Sequence, residues 1–219
     1  MSAAAEGGDG FTAAASEGFP GRIAVLRRHG GDGRGRPHRS NEHEHGRAAA
    51  RAALGLLGGP GLERVPIGAD ADGCPVWPAG VAGSISHSAP WAAAAAAWTR
   101  SGVRGVGVDV EVVRPRHAAL WQRVVMPDDA QAAPPGAPAE YVATVCFALR
   151  EAVYKCVFPV LRVPMDWPDA RLATNWDVGS AGVVLDERLG CDGALAAEFR
   201  AHDGAVVALC WWTAGASRK

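Results

Sequence analysis

Gly105-Val-Gly-Val-Asp-Val-Glu111 is an apolar run that closes on two carboxylates. Successive side chains of a strand alternate faces, so Asp109 and Glu111 point one way and Val110 points into the core. Downstream, Phe147-Ala-Leu-Arg-Glu-Ala-Val-Tyr-Lys155 reads as a helix in which Glu151 and Lys155, four residues apart, share a face. Three acids and one lysine could thus converge. Carboxylates gathered in one place repel one another unless a cation sits among them, and an all-oxygen set without His or Cys suits a hard ion such as Mg²⁺. Such an ion keeps positions open for phosphate oxygens, and Lys155 would bring a positive charge to the same phosphate.

Working outward, the run Trp91 to Trp98 sets propensity against context. Its six consecutive alanines favour helix, but it is short, bracketed by Pro90 and Thr99-Arg-Ser-Gly102, and leads into the acid-bearing strand. A strand is expected, paired as a hairpin with Val103 to Val112, its alanines leaving room for a closely packed helix. That helix is expected from Ser40 or Asn41, both good N-caps, to Leu57, with Gly58-Gly-Pro-Gly61 stopping it. A second helix is expected from Glu140 to Phe158, closed by Pro159, with Val142, Val145, Leu149, Ala152, Val153 and Cys156 facing the core and Phe147, Glu151 and Lys155 on an adjacent stripe.

Pro127 to Pro138 reads as a loop or linker dividing the chain. Val183 to Leu189, Ala194 to Ala201 and Ala205 to Thr213 read as three closing strands. Residues 1–20 read as a loose tail, Gly21 to Leu26 as a short strand, and His29 to Arg39 as a Gly/Arg-rich loop. His43 and His45 diverge on a helix and read as exposed polar residues rather than as a metal pair. Ser84, Ser86, His87 and Asp109 do not make a hydrolase set, because Gly83-Ser-Ile-Ser-His87 lacks the second glycine of a nucleophile elbow.

The chain has 219 residues, 48% hydrophobic and 21% charged, enough for one sizeable core or two small lobes. A formal net charge of −1 gives no global field for nucleic acid. Charge is uneven, however: Arg22, Arg27, Arg28, Arg34, Arg36, Arg39 and Arg47 share their segment with only Asp32, Glu42 and Glu44, which marks a candidate anion-binding arm. Five cysteines without a Cys-x-x-Cys pair suit a reducing compartment. Neither a membrane span nor a leader is read, so a cytoplasmic protein is expected.

Trp77-Pro-Ala-Gly-Val-Ala-Gly-Ser-Ile-Ser-His87 precedes the acid strand. The three blocks, in this order and at this spacing, resemble the 4'-phosphopantetheinyl transferases of the surfactin and enterobactin synthetase type. Their pattern is Gly-Ser-Ile-Ser-His, then Gly-Ile-Asp-Ile-Glu, then Phe-Ser-Ala-Lys-Glu-Ala-x-Tyr-Lys. Glu42, Gly46, Arg47, Arg51, Ala53 and Leu54 match a further helical element of that family, with His43 where Phe is usual, and Gly73-Cys-Pro-Val-Trp-Pro78 matches its Gly-x-Pro-x-Trp-Pro loop. Leu149 and Arg150 depart from the usual Ala and Lys, Arg150 keeping the charge.

The resemblance implies an α+β fold of two pseudo-symmetric lobes, each a helix on a small, mainly antiparallel sheet, with the active site in the cleft between them. The expected organisation is 1–38 as an arm, 39–126 as the first lobe with the coenzyme A and Asp/Glu motifs, 127–139 as linker and 140–219 as the second lobe. The resemblance also implies transfer of 4'-phosphopantetheine from coenzyme A to a serine of an apo acyl or peptidyl carrier protein in nonribosomal peptide, siderophore or polyketide assembly, leaving 3',5'-ADP. Asp109, Glu111 and Glu151 would hold Mg²⁺, or Mn²⁺ in its place. Glu151, Lys155 and Asp109 would be catalytic, and Arg47, Ser86, His87, Arg39 and Lys155 would bind coenzyme A. A monomer is expected, with no nucleic-acid or membrane partner. The competing readings are a coenzyme A-binding protein that has lost transfer and an Arg/Gly-rich nucleic-acid module.

Overall fold

The computed structural model describes residues 11–14, 18–28, 39–115 and 122–215. The chain forms two compact units, Met1–Val103 and Arg104–Lys219. The division falls just ahead of the Asp109/Glu111 strand, so residues 104–126 belong to the second unit and the proline-rich stretch at 127–139 is not the boundary.

In the first unit, β1 (Phe11–Ala14), β2 (Gly21–Arg27), β5 (Val81–Ser88) and β6 (Trp91–Trp98) form a sheet in the order β1-β2-β6-β5. β1 pairs antiparallel with β2 from Phe11 opposite Leu26 to Ala14 opposite Ile23, so part of the expected tail is an edge strand. The alanine run is the strand β6, lying between β2 and β5, and Ala92 through Ala97 are fully buried. Pairing along both edges outweighs the helix propensity of alanine. It also rules out the expected hairpin, because β6 has no edge left for the strand that follows; that strand joins the other sheet.

Helix α1 (Arg39–Leu57) lies on this sheet, its Ala49, Ala50, Ala53 and Leu54 packed with Ala92, Ala94 and Ala96. Small residues on both surfaces let helix and strand approach closely. A two-residue ribbon, β3 (Gly68–Ala69) with β4 (Pro75–Val76), is turned by Asp70, whose Oδ1 accepts the N–H groups of Asp72 at 3.0 Å and Cys74 at 2.9 Å.

The second unit is a five-stranded sheet in the order β7-β11-β10-β9-β8, built from β7 (Val103–Val112), β8 (Ala170–Asn175), β9 (Ser180–Leu185), β10 (Ala194–His202) and β11 (Ala205–Thr213). β8 was not legible as a strand, since Ala-Arg-Leu-Ala-Thr-Asn carries a weak alternation. Helix α2 (Pro127–Ala132) corrects the reading of 127–138 as loop: Pro127 occupies its first turn and Asp129 Oδ2 accepts the Met126 N–H at 2.8 Å.

Helix α3 (Ala139–Leu161) packs Val145, Leu149, Ala152, Val153 and Cys156 against Phe199 and Trp212. It runs through Pro159 instead of closing there. A proline so near the C-terminus forfeits a single interior bond, and the helix ends at Arg162, in the left-handed region at φ 56°, whose N–H reaches Phe158 O at 2.8 Å. No helix among the described residues is long and apolar enough to cross a membrane.

Candidate active site

Strand β7 has two buried faces of different character. Val106, Val108 and Val110 are buried on one, and Gly105, Gly107, Asp109 and Glu111 alternate onto the other. The glycines are where α3 comes to rest. A Cβ at Gly107 would lie 1.8 Å from the Ala152 carbonyl oxygen, and one at Gly105 would lie 2.3 Å from that of Cys156. Only hydrogen on that face lets the helix sit this close to the strand.

The same approach brings the chemistry of α3 to the end of the glycine track. Lys155 Nζ donates to Asp109 Oδ1 at 2.6 Å, with the Asp109 side chain 4% and the Lys155 side chain 28% exposed. A charge-assisted pair this buried fixes both partners. Glu151 lies one turn back on α3. Burial pushes its carboxyl up; Lys155 opposes the rise, Asp109 adds to it, and a hydrogen bond from the Trp167 indole opposes it. Such a carboxylate holds a proton more readily than a solvated one.

A cavity of about 240 Å³ opens beside Glu151, lined also by Arg150, Tyr154, Met165, Asp166 and Trp167. Sequence reasoning missed Tyr154, Met165 and Trp167 as site residues. Trp167 meets Phe147 edge-on with ring centroids 6.0 Å apart, so it is held over the Glu151 stripe by a residue inside the recognised motif. Arg150 has a structural partner: its Nη2 lies 2.8 Å from Asp129 Oδ2, with the two side chains 1% and 2% exposed. The pair ties α2 to α3 immediately before Glu151.

The donor set of Asp109, Glu111 and Glu151 is all carboxylate and fits a hard divalent cation in kind. The described residues contain no group of three or more His, Cys, Asp or Glu already arranged as a metal cage. In this conformation the cation on Asp109 is the Lys155 ammonium.

The other expected contacts lie in the first unit. His43, Arg47 and His87 line a cavity of about 200 Å³ together with the β3–β4 ribbon. Arg47 is aimed there by its Nε, which donates to Ile67 O at 2.8 Å. Gly46 sets the approach of α1 to β5, since a Cβ on it would lie 2.9 Å from Ile85 Cγ2. Ser86 is not among the residues lining this cavity: it alternates to the opposite face of β5 from His87 and is buried there. Trp77 packs on Gly83 at the edge of the first unit's core. Arg39 begins α1, but its side chain, like Arg34 and Arg36, falls outside the described residues.

Two family models match the chain. The 4'-phosphopantetheinyl transferase N-terminal domain matches residues 34–97 and the 4'-phosphopantetheinyl transferase superfamily matches residues 105–210. Among curated proteins, 4'-phosphopantetheinyl transferase Svp of Streptomyces mobaraensis is 30% identical over 66% of this chain and 58% of its own length. 4'-Phosphopantetheinyl transferase PptT of Mycobacterium tuberculosis is 31% identical over 64% of this chain and 60% of its own. Enterobactin synthase component D of Salmonella typhi is 34% identical over 58% of this chain and 51% of its own. The chain thus aligns with between 51% and 60% of the length of these relatives.

Proposed function

Since the chain belongs to the 4'-phosphopantetheinyl transferase superfamily, we propose that it moves the 4'-phosphopantetheinyl group of coenzyme A onto a serine hydroxyl of an acyl or peptidyl carrier protein. The observation that carries this reading is the part-buried Lys155–Asp109 contact at 2.6 Å, with Glu151 one turn away on the same helix. In the reaction the serine oxygen bonds to the phosphorus that bears pantetheine, the P–O–P bridge breaks, and 3',5'-ADP leaves with the bridging electrons. Little covalent help is needed for such a transfer; placement and charge neutralisation supply most of the rate.

Glu151 takes the serine proton, a role its raised proton affinity suits. Lys155 stands beside the developing charge on the leaving phosphate, held there by Asp109. Asp109, Glu111 and Glu151 would hold Mg²⁺ or Mn²⁺, which when bound neutralises pyrophosphate oxygens. Tyr154, Met165 and Trp167 give the cavity beside Glu151 an amphipathic wall against which the reacting hydroxyl can be placed. Arg47 and His87 bind a phosphate of coenzyme A, and Arg39 and Ser86 are assigned to coenzyme A on the family pattern alone. None of the five cysteines forms a disulfide, which supports the cytoplasm as working compartment.

The direct experiment incubates the protein with coenzyme A, Mg²⁺ and a panel of apo carrier domains and reads intact carrier mass with and without chelator. A gain of one phosphopantetheine that disappears with chelator is expected. No gain on any carrier would refute transfer. Glu151→Gln should abolish the gain while coenzyme A still binds, and wild-type rates in that variant would refute both roles given to Glu151.

A further inference from the structure

The first-unit cavity contains one group that its family pattern does not account for. His43 stands where the family usually carries phenylalanine, and on sequence alone it reads as an exposed polar residue. In the structure it is exposed, as that reading expects, and it also lines the cavity with Arg47 and His87. Its ring meets His87 at a tilt of 72° with centroids 6.1 Å apart, so the two imidazoles face the same space without stacking. The arrangement follows from helix geometry: His43 and Arg47 are four apart and share the face of α1 that Gly46 lets down onto β5.

The lining is one-sided in charge. Among the described residues it offers a guanidinium and two imidazoles and no carboxylate. The acids nearest in sequence are disposed elsewhere. Asp70 Oδ1 is taken up by the N–H groups of Asp72 and Cys74 in its own turn. Glu42 and Glu44, which flank His43 on α1, are not among the lining residues. A cavity with three donors and no acceptor carboxylate selects the ligand group with the most acceptor oxygens and the highest charge per volume, which in a nucleotide is a terminal phosphate monoester rather than a bridging diester.

We infer that His43 is a third anchor, with Arg47 and His87, for a terminal phosphate monoester, and that it adds selectivity for coenzyme A over the same molecule without that phosphate. The inference rests on the coenzyme A reading above and assigns a residue to it. An N–H from His43 to a charged oxygen at this partly open position corresponds to about five- to tenfold in Kd. Phenylalanine fills the same wall without a donor, whereas glutamine keeps an N–H.

The test is titration calorimetry of the full chain and its H43F and H43Q variants with coenzyme A and with dephospho-coenzyme A, which lacks the 3'-phosphate. Wild type should prefer coenzyme A. H43F should weaken coenzyme A about five- to tenfold and leave dephospho-coenzyme A within about twofold, and H43Q should recover part of the loss. Equal weakening of both ligands by H43F would make His43 a wall residue and overturn the inference, as would an unchanged Kd for coenzyme A. Wild type binding both ligands equally would overturn the monoester assignment while leaving the coenzyme A reading intact. Wild type binding neither would overturn both.

Discussion

Replacing Gly107 by alanine tests the geometric basis of the site most directly. The added Cβ would lie 1.8 Å from the Ala152 carbonyl oxygen and 2.6 Å from the Cys156 nitrogen, both backbone atoms of α3 that no rotamer change can move. Contact distance is short by roughly 1.5 Å, so α3 must rise from β7 by about that amount or tilt. Lys155 and Glu151 ride on that helix, and the 2.6 Å Lys155–Asp109 contact would stretch beyond hydrogen-bond reach. Overpacking of this kind costs about 1–3 kcal/mol or more of stability, and a shift of about 1 Å in a catalytic group costs on the order of 10²-fold in rate.

Two measurements read these effects, the melting temperature and the rate of mass gain on a carrier domain. The rate should fall about 10²-fold in a folded variant. Gly105→Ala makes a useful graded comparison, because its Cβ would lie 2.3 Å from the Cys156 carbonyl oxygen, less severe and farther from Asp109, and an intermediate loss is expected. If G107A kept both the wild-type melting temperature and at least a third of the wild-type rate, the argument that helix–strand spacing sets the chemistry would be wrong.

Gly55, exposed in α1 with its nearest potential contact an ordinary 3.7 Å to Glu63 Cβ, gives the opposite sign: Gly55→Ala should gain about 0.5–1 kcal/mol in urea unfolding without changing transfer. Asp129→Ala strands the Arg150 guanidinium, 1% exposed, without its carboxylate and should lose about 3–5 kcal/mol in the same assay; a loss below about 1 kcal/mol would show that the pair is not buried in solution. Glu151→Gln should melt higher than wild type at pH 7.5 in chelator, because a carboxyl raised by burial contributes stability that is complete below its unfolded value and is lost as pH rises through its folded value. The gap should therefore close as pH falls towards about 4, and a gap that widens on acidification would reverse the assigned sign.

The parts of the fold that could be read in advance were those where a local pattern and a packing requirement agree. The glycine-and-acid alternation of β7, the apolar stripe of α3 and the boundaries of α1 are of this kind. The alanine strand was legible only from its brackets, since its composition favours helix, and its partners were misassigned because pairing is decided by which edges remain open. β1 and β8 are edge strands, where half the hydrogen bonds and much of the hydrophobic signal are missing. α2 was hidden by the prolines in and after it, of which the helix's own, Pro127, occupies the first turn, where its missing N–H costs nothing. Among site residues, Trp167 could not be read because it lies outside the contiguous motif, and the contact with Phe147 that brings it over Glu151 is tertiary. His43 is exposed, as its sequence suggests, and its spacing to Arg47 was visible, but its place in a cavity was not, because β5 and the β3–β4 ribbon supply the other walls.

The glycines of β7 serve packing and chemistry together. Along one face the side chains are hydrogen at 105 and 107 and carboxylate at 109 and 111. A helix can lie flat on the first pair only by meeting the strand at backbone distance, and once there its next exposed turn necessarily overhangs the second pair. The register that buries Ala152 and Cys156 against glycine is therefore the register that delivers Lys155 to Asp109 and stations Glu151 beside it. Sliding α3 by one residue would rotate its face by about 100°, exposing the core stripe and withdrawing the lysine at once. The stability of the second unit and the alignment of its acids are consequently not separable traits: variants that loosen the α3–β7 contact should lose rate before they lose the fold, in proportion to how far the helix lifts.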